Sequence, residues 1–244
     1  MILRLLLLMM LVWPLAVRGT TVAAAADLRT VLPALAQAHE AATGQRITMV
    51  FGSSGTLAQQ AMGGAPFDLL LMADAATAQR VVQALPGATA RPYALGRLAL
   101  VVRPGTGIRD LAGLQAALRS GRVRHLAIAN PAHAPYGRAA QAVLASLGAT
   151  AAAAPRLVLA DNVAQALAYV TSGAAQAGLV ALPLAQAGRT RGLIVLPVPP
   201  ASHPPLLQTL VLMPGADAGA RGFADRITSP AGRAVLAAAG FGLP

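Results

Sequence analysis

The feature that most restricts this chain is an alternation. Apolar runs of strand length take turns with longer Ala/Leu-rich stretches whose apolar residues recur at helical spacing. Such a pattern is the mark of parallel sheets covered by helices. Strands are expected at residues 21–25, 47–51, 67–72, 98–103, 125–129, 157–159, 177–181, 193–198 and 206–213. Helices are expected at 56–62, 75–85, 111–118, 136–147, 163–171, 218–228 and 230–239. After the first strand, Asp27 stands where an N-cap belongs, ahead of a helical face made by Leu28, Val31, Leu32, Leu35 and His39. Residues 151–154, all alanine, read as a low-complexity linker. The order fits two α/β lobes, each a mostly parallel sheet flanked by helices, joined by two crossing strands. Residues 98–103 leave the first lobe and 193–198 return to it, which puts 20–97 and 198–244 in lobe 1 and 98–197 in lobe 2.

Ahead of this pattern, a basic start ending at Arg4 leads into the apolar run 5–17, too short to span a bilayer comfortably. Small residues at Val17 and Gly19 make residues 1–19 a cleavable signal peptide. The remainder is expected to be an exported, soluble, monomeric protein of a periplasm. The chain has no cysteine, which excludes a disulfide scaffold, a thiolate metal site, a catalytic thiol and a lipidated N-terminal cysteine.

The charge is a poor guide to partners. It is +11 for the whole chain, or +9 without Arg4 and Arg18, and every cationic side chain other than histidine is an arginine, scattered without a run. Only 3% of residues are aromatic, so the basic face with stacking rings that nucleic-acid binding needs is missing. His39, His125, His133 and His203 lack metal-ligand spacing, and no direct metal ligands are expected. His133 reads as loop packing.

Several expected strand ends run straight into helix starts: Ala26-Asp27, Ser53-Ser54, Pro135-Tyr136 and Asp161-Asn162-Val163. In a doubly wound sheet such points gather at the carboxyl edge, where ligands bind. Each start offers unpaired N–H groups and about half a positive charge, so several together hold an anion without Lys or Arg. Gly52-Ser-Ser-Gly55 adds hydroxyl donors; taken alone, it is also an ordinary glycine turn with a serine cap. It does not fit the G-x-S-x-G of a hydrolase elbow.

Six segments in register extend this reading. They are Val22-Ala-Ala-Ala-Ala-Asp-Leu28, Phe51-Gly-Ser-Ser-Gly-Thr-Leu57, Gly64-Ala-Pro-Phe-Asp-Leu69 with Ala73-Asp74, Asn130-Pro-Ala-His-Ala-Pro-Tyr-Gly137, Asp161-Asn-Val163 and Gly178-Leu-Val-Ala-Leu182. Together with Gly240-Phe241, this order resembles the periplasmic molybdate-binding proteins of ABC transporters. The resemblance implies a two-lobed type II periplasmic binding protein, without enzymatic activity or cofactor, that closes on molybdate or tungstate and delivers it to a membrane permease. It places the oxyanion ligands on Asp27, Ser54, Tyr136 and Val163, with Ala26, Ser53 and Ala181 as further candidates. Ser54 is expected to give its hydroxyl and N–H, Tyr136 and Val163 their backbone N–H groups.

Two positions depart from the family. Asp27 stands where many members have Ser or Asn, and Ala181 where some have a Tyr that touches the anion. An ionised carboxylate about 4 Å from a dianion is repelled by several kcal/mol at intermediate dielectric. The expected resolution is that the Asp27 carboxylate turns back to cap the helix beginning at Leu28. The sharper alternative is a ligand carrying a proton to share or a positive group, hence another oxyanion or a small organic molecule. An enzyme on the same scaffold is the competing class, and it lacks a nucleophile–base pair.

Overall fold

The computed structural model describes residues 19–188 and 190–244, so the signal-peptide reading of residues 1–19 lies outside it apart from Gly19. In chain order the strands are β1 (Thr20–Ala25), β2 (Ile47–Gly52), β3 (Leu69–Met72), β4 (Thr89–Gly96), β5 (Leu98–Val102), β6 (Leu126–Ala129), β7 (Leu157–Ala160), β8 (Ala177–Ala181), β9 (Ile194–Pro197) and β10 (Leu206–Leu212). The helices are α1 (Leu32–Thr43), α2 (Ser54–Met62), α3 (Ala75–Ala84), α4 (Leu111–Arg119), α5 (Pro135–Ser146), α6 (Thr150–Ala153), α7 (Val163–Ser172), α8 (Leu182–Gln186), α9 (Ala218–Thr228) and α10 (Pro230–Ala238).

The strands form two five-stranded sheets, ordered β2-β1-β3-β10-β4 and β7-β6-β8-β5-β9. The two follow one plan. Three parallel strands are followed by one antiparallel strand, β10 or β5, which pairs antiparallel with the edge strand β4 or β9. In each sheet the antiparallel strand is the first one the chain enters after crossing from the other lobe. One passage takes the single residue Arg97, between β4 and β5; the other takes residues 198–205, between β9 and β10. β5 and β9 lie side by side in the second sheet.

The apolar runs are continuous because both faces of each sheet are covered. In lobe 1, Val22, Ala24, Leu69 and Leu71 pack with Leu32, Leu35, Phe223 and Leu236, while Ala23, Leu70 and Met72 pack on the other face with Leu57, Ala58 and Val81. Neighbouring residues along a strand thus serve opposite layers, as the two-residue period requires.

Three local readings are corrected. Residues 151–154 are not a linker, since Thr150–Ala153 is a helical turn, in keeping with alanine's high helix propensity. Strand β4 is absent from the sequence reading because Arg91, Pro92 and Gly96 break its pattern. It is an edge strand, where proline is tolerated. Asp27 does not cap a helix: it lies in a 3-10 turn, Ala26–Leu28, and α1 begins only at Leu32, flanked by Val31.

Candidate functional site

Residues from both lobes line one small cavity: Ala26, Asp27, Ser53 and Ser54 with Ala73 on one side, Tyr136, Asn162 and Val163 on the other. Six of the seven candidates named from sequence are therefore brought together. Ala181 is fully buried at the end of β8, paired with Leu98, and is not in the lining.

Capping prepares the donors. At α2, Ser53 Oγ accepts from Thr56 N–H, and Gly55 N–H donates to the His133 carbonyl oxygen at 2.9 Å, which leaves the N–H of Ser54. At α5, Pro135 has no N–H, and Gly137 and Arg138 N–H donate to the Ala134 carbonyl, which leaves Tyr136. At α7, Asn162 Oδ1 accepts from Ala164 and Gln165 N–H at 3.1 Å each, which leaves Val163. Each start thus keeps one N–H without a protein acceptor among the described residues, and all three belong to cavity-lining residues. Ser54 Oγ accepts from Ala73 N–H at 2.8 Å, so its own hydrogen remains to be donated.

The lobes meet directly around this cavity. Tyr136 hydroxyl, on lobe 2, donates to Asp27 Oδ2 at 3.0 Å. His133 Nδ1 shares a 2.8 Å hydrogen bond with Ser53 Oγ, and Arg138 pairs with Asp74. Gly55 allows the close approach of its helix start to the loop before α5, since a Cβ there would stand 2.6 Å from the His133 carbonyl oxygen. His133 packs between the lobes outside the lining, as the loop reading expected.

The matched family is described as bacterial extracellular solute-binding proteins, and its model aligns with residues 20–242. The chain belongs to that family. Among curated relatives, the molybdate-binding protein ModA of Azotobacter vinelandii is 35% identical over 230 residues, covering 91% of this chain and 89% of that protein. ModA of Rhodobacter capsulatus is 34% identical over 193 residues, 77% and 74% of the two chains. The solved periplasmic molybdate-binding protein of A. vinelandii superposes with a TM-score of 0.83 at 32% identity, covering 93% of this chain and all of that one. A sulfate-binding protein, SubI of Mycobacterium tuberculosis, shares the fold at a TM-score of 0.71 and 17% identity, over 91% and 86% of the two chains.

This solute-binding protein departs from a purely neutral donor set at one residue. Asp27 is fully buried, and Oδ2 accepts from both Tyr136 hydroxyl and Gln208 Nε2, while Oδ1 has no partner. Gln208 is itself held by Tyr93, whose hydroxyl donates to Oε1 at 2.6 Å. Burial pushes the Asp27 carboxyl from 3.8 up to about 6, against the opposing effect of the hydrogen bonds from Gln208 and Tyr136 and, more weakly, of the backbone N–H groups of Asp27 and Leu28. Burial, and then the nearby carboxylate, hold the Tyr136 and Tyr93 hydroxyls protonated well above their ordinary range.

Sequence reasoning missed Gln208 and Tyr93. The available signal was a lone amide, Gln208, inside the apolar run of β10. A polar side chain in a strand buried on both faces needs a partner. Among the described residues there is no group of three His, Cys, Asp or Glu able to hold a cation, and no helix long and apolar enough to cross a membrane.

Proposed function

We propose that this protein binds molybdate or tungstate in the interlobe cavity and passes it to the permease of an ABC importer from a periplasmic location. The observation that carries the reading is the convergence of three helix starts from two lobes, each with one free N–H, on a cavity without a cationic side chain in its lining. The N–H groups of Ser54, Tyr136 and Val163, the Ser54 hydroxyl, and backbone at Ala26 and Asp27 hold the anion, with Ser53 capping behind Ser54. The relatives named for molybdate, at 35% and 34% identity, support the same ligand class.

Neutral donors suffice for tight binding. Charge-assisted hydrogen bonds are roughly twice as strong as neutral ones, and nanomolar affinity needs about 12 kcal/mol net. Selectivity against smaller tetrahedral anions then rests on where rigid helix starts place their N–H groups. Closure of the lobes about the two crossings creates the cavity and presents the closed face to the permease.

A thermal-shift screen of the protein lacking residues 1–19 tests this against molybdate, tungstate, sulfate, phosphate and small organic acids. Molybdate or tungstate at about 100 times its dissociation constant is expected to add about 2.7 kcal/mol of stability. A shift with another ligand and none with these two overturns the assignment. Asp27 favours one second reading, an oxyanion that brings its own proton, and in that case phosphate gives the largest shift.

A further inference from the structure

The least expected feature of the cavity is an acid among its donors, with one oxygen fully used and the other unused. Oδ2 of Asp27 accepts two hydrogen bonds, one from each lobe, through Gln208 and Tyr136. Oδ1 is buried and unpartnered, on a residue that lines the cavity. With Oδ2 occupied by donors, the proton of a neutral Asp27 resides on Oδ1. A buried hydroxyl of that kind needs an acceptor. The groups left free at the helix starts that line the same cavity are donors, so the acceptor this hydroxyl lacks is of the kind an oxyanion supplies.

We infer that Asp27 is a proton-carrying ligand: molybdate binds together with one proton, which sits on Asp27 Oδ1 and is donated in a hydrogen bond to an oxyanion oxygen. The inference rests on the oxyanion reading above and adds a proton to it. The balance is simple. Ionised Asp27 takes one proton from solvent, a dianion enters, and no bond within the anion is made or broken. The repulsion between a carboxylate and a dianion becomes a hydrogen bond, at the cost of taking up a proton at neutral pH.

The surroundings leave Asp27 as the titrating group. Tyr136 on α5 faces it directly and Tyr93 on β4 through Gln208, both protonated throughout the relevant range. β1 and β10 bring no titratable side chain. α7, packed on the turn that carries Asp27, has Tyr169, and α8 has none. His133 stands behind Ser53, and the ion pairs of the described residues, Arg138–Asp74 and Arg91–Asp225, do not include Asp27. A carboxyl that titrates at about 6 is largely ionised at pH 7.5, so uptake approaches one proton there.

The test is calorimetric titration of molybdate into the wild-type protein and Asp27→Asn, from pH 5.5 to 8.5, in pairs of buffers with different ionisation enthalpies. For the wild type we expect close to one proton taken up per molybdate at pH 8, and an association constant falling by up to roughly tenfold for each pH unit above 6. Asp27→Asn, which keeps an acceptor for Gln208 and Tyr136 and places an N–H donor at Oδ1, is expected to bind with a flat profile and no uptake. Wild-type binding that is flat with pH and takes up no proton overturns the inference while leaving the proposed function standing. Tighter binding of hydrogen phosphate than of molybdate, without proton exchange, overturns it in favour of an anion that brings the proton. Failure of both proteins to bind molybdate or tungstate at any pH overturns the function and this inference together. If Asp27→Asn does not fold, proton uptake by the wild type decides alone.

Discussion

The two lobes are built to one topological plan but furnish the cleft in different ways. Lobe 1 adds side chains to the Ser54 N–H: Ser54 hydroxyl, Ser53 as cap, and Asp27 held by Gln208, which Tyr93 holds in turn. Lobe 2 brings mainly backbone, the N–H groups of Tyr136 and Val163 beside Pro135 and Asn162, while its Tyr136 hydroxyl clamps Asp27 and its His133 and Arg138 side chains hold Ser53 and Asp74 across the cleft. The shared sheet order thus fixes where helix starts converge, while the residues at those starts decide whether donors are side-chain groups that can be deleted or backbone groups that cannot.

The largest effects separate architecture from closure. In Gly137→Ala the new Cβ would lie 2.1 Å from the Ala129 carbonyl oxygen inside lobe 2, whereas in Gly55→Ala it would meet His133 across the cleft. Overpacking costs about 1–3 kcal/mol and more against rigid backbone. Gly137→Ala is therefore expected to lower the melting temperature of the free protein strongly. Gly55→Ala, whose clash a slight parting of the lobes relieves, is expected to lower that temperature much less and to weaken ligand binding by about tenfold or more. Equal losses of thermal stability in the two variants would erase the distinction.

Next comes the buried acid of lobe 1. The unfolded chain ionises this carboxyl near 3.8 and the folded chain at about 6, so the folded state binds more protons between these values and stability falls as pH rises through them. Above pH 6 the loss is complete, at about 3 kcal/mol. Asp27→Asn is expected to remove that slope and to be more stable than the wild type at pH 8 by a similar order, measured by urea denaturation at pH 4 and pH 8.

The smallest contrast pits a side-chain donor against a cap. Ser54→Ala removes a charge-assisted hydrogen bond of about 1.5–3 kcal/mol, or roughly 10- to 100-fold in affinity. Asn162→Ala is expected to cost about 1 kcal/mol of stability through the lost cap and less in affinity, because Val163 N–H survives it. Calorimetry with molybdate, paired with thermal melts, reads both; a larger affinity loss in Asn162→Ala would show that lobe 2 also depends on its side chains.

The sequence by itself determined what is local. Alternating apolar periods announced two α/β lobes, and Ser53 and Asn162 marked helix starts because a cap reaches only two or three residues along the chain. Those starts already pointed to Ser54, Tyr136 and Val163. Tertiary structure alone decided what depends on distant partners. It hid edge strand β4 behind a broken pattern, put the crossings at Arg97 and residues 198–205, and turned Asp27 from an expected cap into a buried acid. Its partners Tyr136 and Gln208 lie 109 and 181 residues away. No local propensity encodes such pairing, because the cost of burying a carboxyl, and the hydrogen bonds that offset it, exist only once the two lobes have closed around it.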